Sequence, residues 1–330
     1  MTISKKNITN AILLVLTALI FLWIGLKTDW DATWKAVLSS DLKWVGSSVV
    51  VMIFAHWLRG YRWNMLTAPA GYPLNVKRSF YAVMSGYLIN VATSRGGEVV
   101  RCAMAAKTEK APADLLVGTV VTERIVDMLM LLLVCITGLI FEFQHLDGFF
   151  ENFILTPLIF FLSDSPYILI ALGLLAAIAF FYFTFRKKKK TDKVPGKLST
   201  LLSGFSKGLK TIFALESPAL FFLFSVGIWF CYMLSGYCLL QSLPVTDHLG
   251  FGSAISLLIF AAVGIAIPLP AGAGVWGAIS FGLQAVYGLG AQDAETFGIF
   301  NLAYQNLFSM IIGGICYLMM MIEMRKIKTA

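Results

Sequence analysis

The chain has 330 residues, 58% hydrophobic and 13% charged, with a mean hydropathy of +0.79. A soluble domain carries about 25% charged residues, so this composition excludes a soluble enzyme or nucleic-acid-binding protein and describes an integral membrane protein. The net charge of +8 is read as the positive bias of cytoplasmic loops, and the five cysteines, in or beside apolar runs, show no metal-like pairing.

Lys5-Lys6 ahead of an apolar run from Ile8 to Leu26 predicts an uncleaved first span, because the run exceeds the h-region of a signal peptide. A second span is expected over 44–66. It carries His56, Arg59 and Arg62 at i, i+3 and i+6, on one broad helix face. Snorkelling to headgroups accounts for Arg62 as readily as burial does; it fits Arg59, about a turn and a half to two turns deep, less well.

Ser79 to Thr93 is apolar but short of the roughly 20 residues a helix needs to cross. It runs into Ser94-Arg95-Gly96-Gly97-Glu98, and basic residues flank it on both sides: Lys77-Arg78 before, Arg101, Lys107 and Lys110 after. The expectation is a re-entrant hairpin over 79–100, broken at Gly96-Gly97, with Glu98 opening a half-helix whose N–H groups face an anion.

The third full span, 115–141, contains Glu123, Arg124 and Asp127. Glu123 and Asp127 stack one turn apart, roughly 13 and 19 Å along the helix from Asp114. Arg124 is expected to pair with one of them. Two such carboxylates should not both ionise easily, so the pair reads either as a proton site or as an ion-pair lock between helices.

Phe153 to Leu162 is too short to span and is expected on the outer surface. Further spans are expected at 166–185, 217–240 and 298–322. Arg186 to Lys190 and the stretch 198–213 predict a basic interfacial helix on anionic lipid. The region 251–290 holds Pro268, Pro270, Gly272 and Gly274, which cannot continue a helix. It reads as a second hairpin entering from the other face, or as two full crossings.

The expected architecture is therefore all-α and polytopic, a single transmembrane domain over 1–330. Six full spans and two re-entrant or broken hairpins form an inverted repeat, with halves 1–150 and 217–330 joined by a basic linker at 186–216. Basic residues cluster in the segments assigned to the cytoplasm, whereas the outer segments carry only Lys27, Lys35 and Lys43. Both termini are thus expected inside, in a plasma (inner) membrane.

Asn90 and the run Arg95-Gly96-Gly97-Glu98-Val99-Val100-Arg101 resemble the N-x-x-P-x-R-x-G-E-x-x-R signature of the lysylphosphatidylglycerol synthase/flippase transmembrane family. Glu123 to Asp127 is similar to its E-R-x-x-D element, and Pro268 to Gly274 to its P-x-P-G-G-x-G turn. Thr93 replaces the family proline, Ala271 the first turn glycine, and Gly277 stands where many members carry a glutamate. The resemblance implies a lipid translocase domain with two re-entrant hairpins. The soluble aminoacyl-transfer domain of full-length synthases is not expected in a chain that ends just past its last span.

The leading expectation is a flippase-like transporter of a phosphate-bearing lipid, either a phospholipid or a polyprenyl-phosphate-linked one. Arg59, Arg62, Asn90, Arg95, Glu98, Arg101 and Arg124 would meet the headgroup, since arginine forks suit phosphate. The alternatives are a membrane-embedded glycosyl- or aminoacyl-lipid transferase subunit and a non-transporting scaffold. No nucleotide loop, metal cluster or nucleophile–base pair appears, so neither cofactor nor metal is expected. The expected partners are membrane lipids; a second copy of the chain or a lipid-modifying enzyme are further candidates, and nucleic acid is not.

Overall fold

The computed structural model describes residues 29–93, 96–142, 207, 208, 210–266 and 272–329, and every α-helix given below lies among them. The expected spans 8–26 and 166–185 and the surface helix at 153–162 lie outside the described residues, as do Arg95, Pro268 and Pro270. Of the expected interfacial helix 198–213 only the end is described. There Lys207 Nζ donates to the Ala70 carbonyl at 3.0 Å, and residues 211–214 form a 3-10 turn.

A short helix, α1 (Trp30–Leu38), precedes the long α2 (Leu42–Thr67). Asp41 caps α2, its carboxylate accepting from the Lys43 N–H at 2.9 Å. At 26 residues α2 is about 39 Å long, enough to cross a bilayer despite its charges. It ends in a 3-10 turn closed by Gly71 at φ +90°, a left-handed conformation that glycine adopts without a Cβ penalty.

Asn75 then caps α3 (Val76–Ala92), which stops at Thr93; α4 (Gly97–Glu109) follows, opened by Gly96. The break falls where the glycines predicted it, but the hairpin is longer than 79–100: it begins at Val76 and continues to Glu109. Val99, Val100, Cys102 and Met104 extend the helix past the charged cluster. Lys110, at φ +54°, and Pro112 turn the chain into α5 (Ala113–Phe141).

The second half repeats the pattern. A span with proline in its first turn, α6 (Pro218–Ser242), leads to α7 (Ser253–Ala266) and α8 (Ala273–Tyr287). The 39-residue α9 (Ala291–Thr329) closes the chain. Among the described helices, α5, α6 and α9 are long and apolar enough to cross a membrane. On α5 a wide face is exposed, including Met128, Leu129, Leu132, Ile136 and Ile140. Such an apolar surface is suited to lipid rather than water.

Small residues make the two hairpins. A Cβ added at Gly86 would stand 2.9 Å from the Gly97 carbonyl oxygen, so α3 and α4 touch backbone to backbone. In the second hairpin a Cβ at Gly264 would stand 2.5 Å from Val275 Cα, and one at Gly282 2.5 Å from the Phe260 ring. The pairs 264–275 and 260–282 set α7 and α8 antiparallel.

The halves interlock. Helices α2 and α6 run antiparallel, with Ser48 beside Ser235 and Arg62 beside Ser225. Each half's hairpin also packs on the other half's last helix. Gly313 of α9 is pressed against the Met84 carbonyl of α3, and α7 lies on α5. Two buried clusters result. One is built on Trp63, Leu74, Val83, Cys102, Leu115 and Leu116, the other on Leu240, Phe260, Ile279, Leu283 and Phe297.

Candidate functional site

Where α2, α4, α5 and α6 converge, polar side chains replace the apolar core. The reason is periodicity. On α2, Arg59, Arg62 and Trp63 fall on the face turned inward. On α5, Glu123 and Asp127 stack one turn apart.

Asp127 bridges two arginines. Its Oδ2 accepts from Arg59 at 2.7 Å and its Oδ1 from Arg62 at 2.7 Å. Arg59 also donates to the hydroxyls of Tyr87 at 2.8 Å and Tyr232 at 3.1 Å. Arg62 donates to Ser225 Oγ at 3.1 Å and has no exposed surface. Burial of both guanidiniums rules out headgroup snorkelling in this conformation, which the sequence had left open.

Arg101 forms the second unit. It pairs with Glu123 and lies over the Trp63 ring, 4.2 Å from its centroid, while the Trp63 indole N–H donates to Thr119 at 3.0 Å. The topology expectation counted Arg101 among the cytoplasmic flanking charges; it is buried in the helix bundle instead. Burial on this scale needs partners, and the carboxylate and the indole face supply them.

Arg124 pairs with neither carboxylate of its own helix. Successive residues on a helix diverge by about 100°, so Arg124 points away from Glu123 and reaches across to Glu98 on α4, Nε to Oε1 at 2.6 Å. This pair is half exposed, unlike the other two. The stacked carboxylates likewise do not share a site. Glu123 has Arg101, and Asp127 has Arg59 and Arg62.

Asn90 holds the hairpin break together: its Oδ1 accepts from the Gly97 N–H at 2.8 Å. Gly96 N–H donates to Thr93 Oγ1 at 3.1 Å, so the threonine at the family's proline position caps the turn. Gly272, at φ +77°, caps α8, and Gly274 packs against Gly264 of α7.

In charge terms, four guanidiniums (Arg59, Arg62, Arg101, Arg124) meet three carboxylates (Glu98, Glu123, Asp127). The Nε of Arg59, Arg62 and Arg101 and Oε1 of Glu123 have no hydrogen-bond partner among the described residues. The cluster therefore keeps one positive charge in excess and several unused donors. No group of His, Cys, Asp and Glu among the described residues is placed to hold a metal ion. His56 stacks on Tyr87 at 4.5 Å and lies in the aromatic wall above Arg59.

Sequence reasoning missed Trp63, Tyr87, Ser225 and Tyr232. A signal existed for α6: Ser225, Tyr232 and Ser235 recur at i, i+7 and i+10, a polar line on an otherwise apolar helix. Tyr87 and Trp63 carry no such signal, because aromatic residues are ordinary in membrane helices.

No solved structure matches the chain. A UPF0104 membrane protein of Methanocaldococcus jannaschii is 31% identical over 127 residues, covering 37% of this chain and 38% of that relative. The alignment thus spans well under half of the relative's length. The family model described as the lysylphosphatidylglycerol synthase TM region matches residues 10–313. The match spans both hairpins and the whole buried network, and the chain belongs to the lysylphosphatidylglycerol synthase TM-region family.

Proposed function

We propose that the protein is a flippase-like transporter that binds a phosphate-bearing lipid and moves it across the membrane. The observation that carries this is the buried network: arginines in excess of carboxylates, with unused guanidinium N–H groups, inside an apolar helix bundle. An isolated arginine at membrane depth costs about 2.5–3.5 kcal/mol on the mildest scales. Packing alone gives a helix bundle no reason to hold one more cation than anion. A phosphate monoanion would balance the charge and occupy the free donors.

The frame supports the same reading. The four-element halves run in opposite senses, each with a hairpin of two helices too short to cross alone. Inverted halves around a broken-helix site are the arrangement of alternating access. Both hairpins are read as re-entrant, Val76–Glu109 from the cytoplasmic face and Ser253–Tyr287 from the outer face, with both termini inside. Asn90, Gly96 and Gly97 fix the first tip, and Gly272 and Gly274 one side of the second. Arg95 extends the cationic surface at the first tip. The network offers no nucleophile–base pair, which favours transport over a transferase.

Reconstitution into vesicles tests the reading. Purified protein should accelerate the appearance of a fluorescent phosphatidylglycerol in the opposite leaflet, and Arg101→Ala should abolish the effect while the protein remains monodisperse. Equal lipid movement in vesicles with and without protein would remove the reading for this class of lipid.

A further inference from the structure

Helix α8 packs on α9 through a glycine. A Cβ at Gly298 would stand 2.9 Å from Trp276 Cδ1 and 3.2 Å from the Trp276 carbonyl oxygen, while one at Gly272 would stand 3.5 Å from Leu302 Cδ1. The two contacts fix the register: Leu302 opposes Gly272, and Gly298 opposes Trp276 and Ser280. Asn301 therefore stands beside the first turn of α8.

Three polar atoms along this seam have no hydrogen-bond partner among the described residues: Trp276 Nε1, Ser280 Oγ and Asn301 Nδ2. Trp276 is 8% exposed and Asn301 2%. A buried donor left unmade costs roughly 1–3 kcal/mol, so three together point to a missing acceptor. The indole and the amide nitrogen can only donate, and the hydroxyl can do so. The first turn of α8 adds backbone N–H groups without a side-chain cap and the positive end of a helix dipole. No lysine or arginine occurs between residues 251 and 302.

We propose that the first turn of α8 and the facing side of α9 form a second, uncharged anion site, in which Trp276, Ser280 and Asn301 donate to a phosphoryl oxygen. Assigning that oxygen to a lipid rests on the translocation reading above; the hydrogen-bond chemistry requires only an oxyanion. The site complements the arginine network. The network holds a phosphate by charge, whereas this seam holds it by dipoles alone and so more weakly. A pathway needs stations that bind and also release. The hairpin places the seam in the second half, so an anion leaving the arginines meets neutral donors next.

The test uses the full-length protein in detergent with 15N-labelled tryptophan. Trp276→Phe identifies the Trp276 indole signal. Three probes are titrated: dihexanoyl phosphatidic acid, dihexanoylglycerol and inorganic phosphate. A saturable shift of the Trp276 signal with phosphatidic acid and none with dihexanoylglycerol is the expected result. A shift with inorganic phosphate alone keeps the anion site and assigns it to free phosphate. No response to either phosphoryl probe, or an equal response to dihexanoylglycerol, overturns the proposal. Asn301→Ala should weaken the response roughly tenfold, the scale of one lost buried hydrogen bond. Ser280→Ala, at a half-buried position, gives the same comparison if the first variant does not fold. Lipid movement is measured separately in vesicles: a silent Trp276 with normal movement sinks this site alone, and a responsive Trp276 without movement sinks only the translocation reading.

Discussion

Arg62 and Asp127 meet at 2.7 Å across the α2–α5 interface, and Arg62 has no exposed surface at all. The same carboxylate holds Arg59, so one acidic side chain neutralises two buried arginines on another helix. Asp127→Asn would leave both guanidiniums facing each other uncompensated. Removing one partner of a buried pair typically costs about 3–5 kcal/mol. The variant should therefore unfold at a clearly lower temperature in detergent, read by the loss of helical circular dichroism. An unchanged midpoint would mean that the triad does not hold α2 to α5.

Arg101 and Glu123 separate a lock from a binding site. The double variant Arg101→Met with Glu123→Leu removes both charges and keeps apolar bulk over Trp63. Paired apolar replacement of a buried ion pair is often neutral or stabilising. Folding should survive and lipid movement should be lost. Movement at the wild-type rate in the double variant would make the pair a structural lock only.

The first hairpin depends on backbone contact between Gly86 and Gly97. A Cβ at Gly97 would overlap the Gly86 carbonyl and stand 2.7 Å from Asn90 Oδ1, so the hairpin must open to admit it. Gly97→Ala should destabilise by about 1–3 kcal/mol, the usual cost of overpacking. Gly314, in the middle of α9, has nothing within 4 Å of its missing Cβ. There the change to alanine should stabilise by roughly 0.5–1 kcal/mol, the helix-propensity gain alone. Thermal unfolding of both variants checks the contrast, and equal effects would contradict the close packing.

Cysteine labelling in sealed vesicles tests how the hairpins enter. Cysteines at 77 and 107 should react from one face, because α3 and α4 flank a break and pack on each other. Cysteines at 247 and 293 should react from the other. Positions 77 and 107 labelling from opposite faces would turn the first hairpin into a full crossing.

Much of this frame was readable from the chain. The glycine pair at 96–97 and the left-handed Gly272 interrupt helices because nothing else in those runs permits the turn, and composition locates such breaks well. The edges were less readable. The first hairpin runs on to Glu109 because α4 buries Arg101, Cys102 and Met104 against α5, a tertiary effect with no local signature. Arg101 looked like a cytoplasmic flanking charge for the same reason: a sequence shows the charge but not the Glu123 and Trp63 that shelter it. The partner choice of Arg124 followed from helix geometry once α4 was placed. The hydroxyls of Tyr87 and Tyr232 on Arg59 could not be read, since an aromatic residue in an apolar helix carries no sign of its neighbour.

The excess cation in the buried network is the centre of the account. Its most direct test is lipid movement in proteoliposomes made with wild-type protein and with the Arg101→Met, Glu123→Leu double variant. A labelled phosphatidylglycerol and a labelled uncharged diacylglycerol-based glycolipid are compared in each. The account predicts that the wild-type protein accelerates the phosphate-bearing lipid, leaves the uncharged one near the protein-free rate, and loses that difference in the double variant. Equal acceleration of both lipids, unchanged by the double variant, would contradict it.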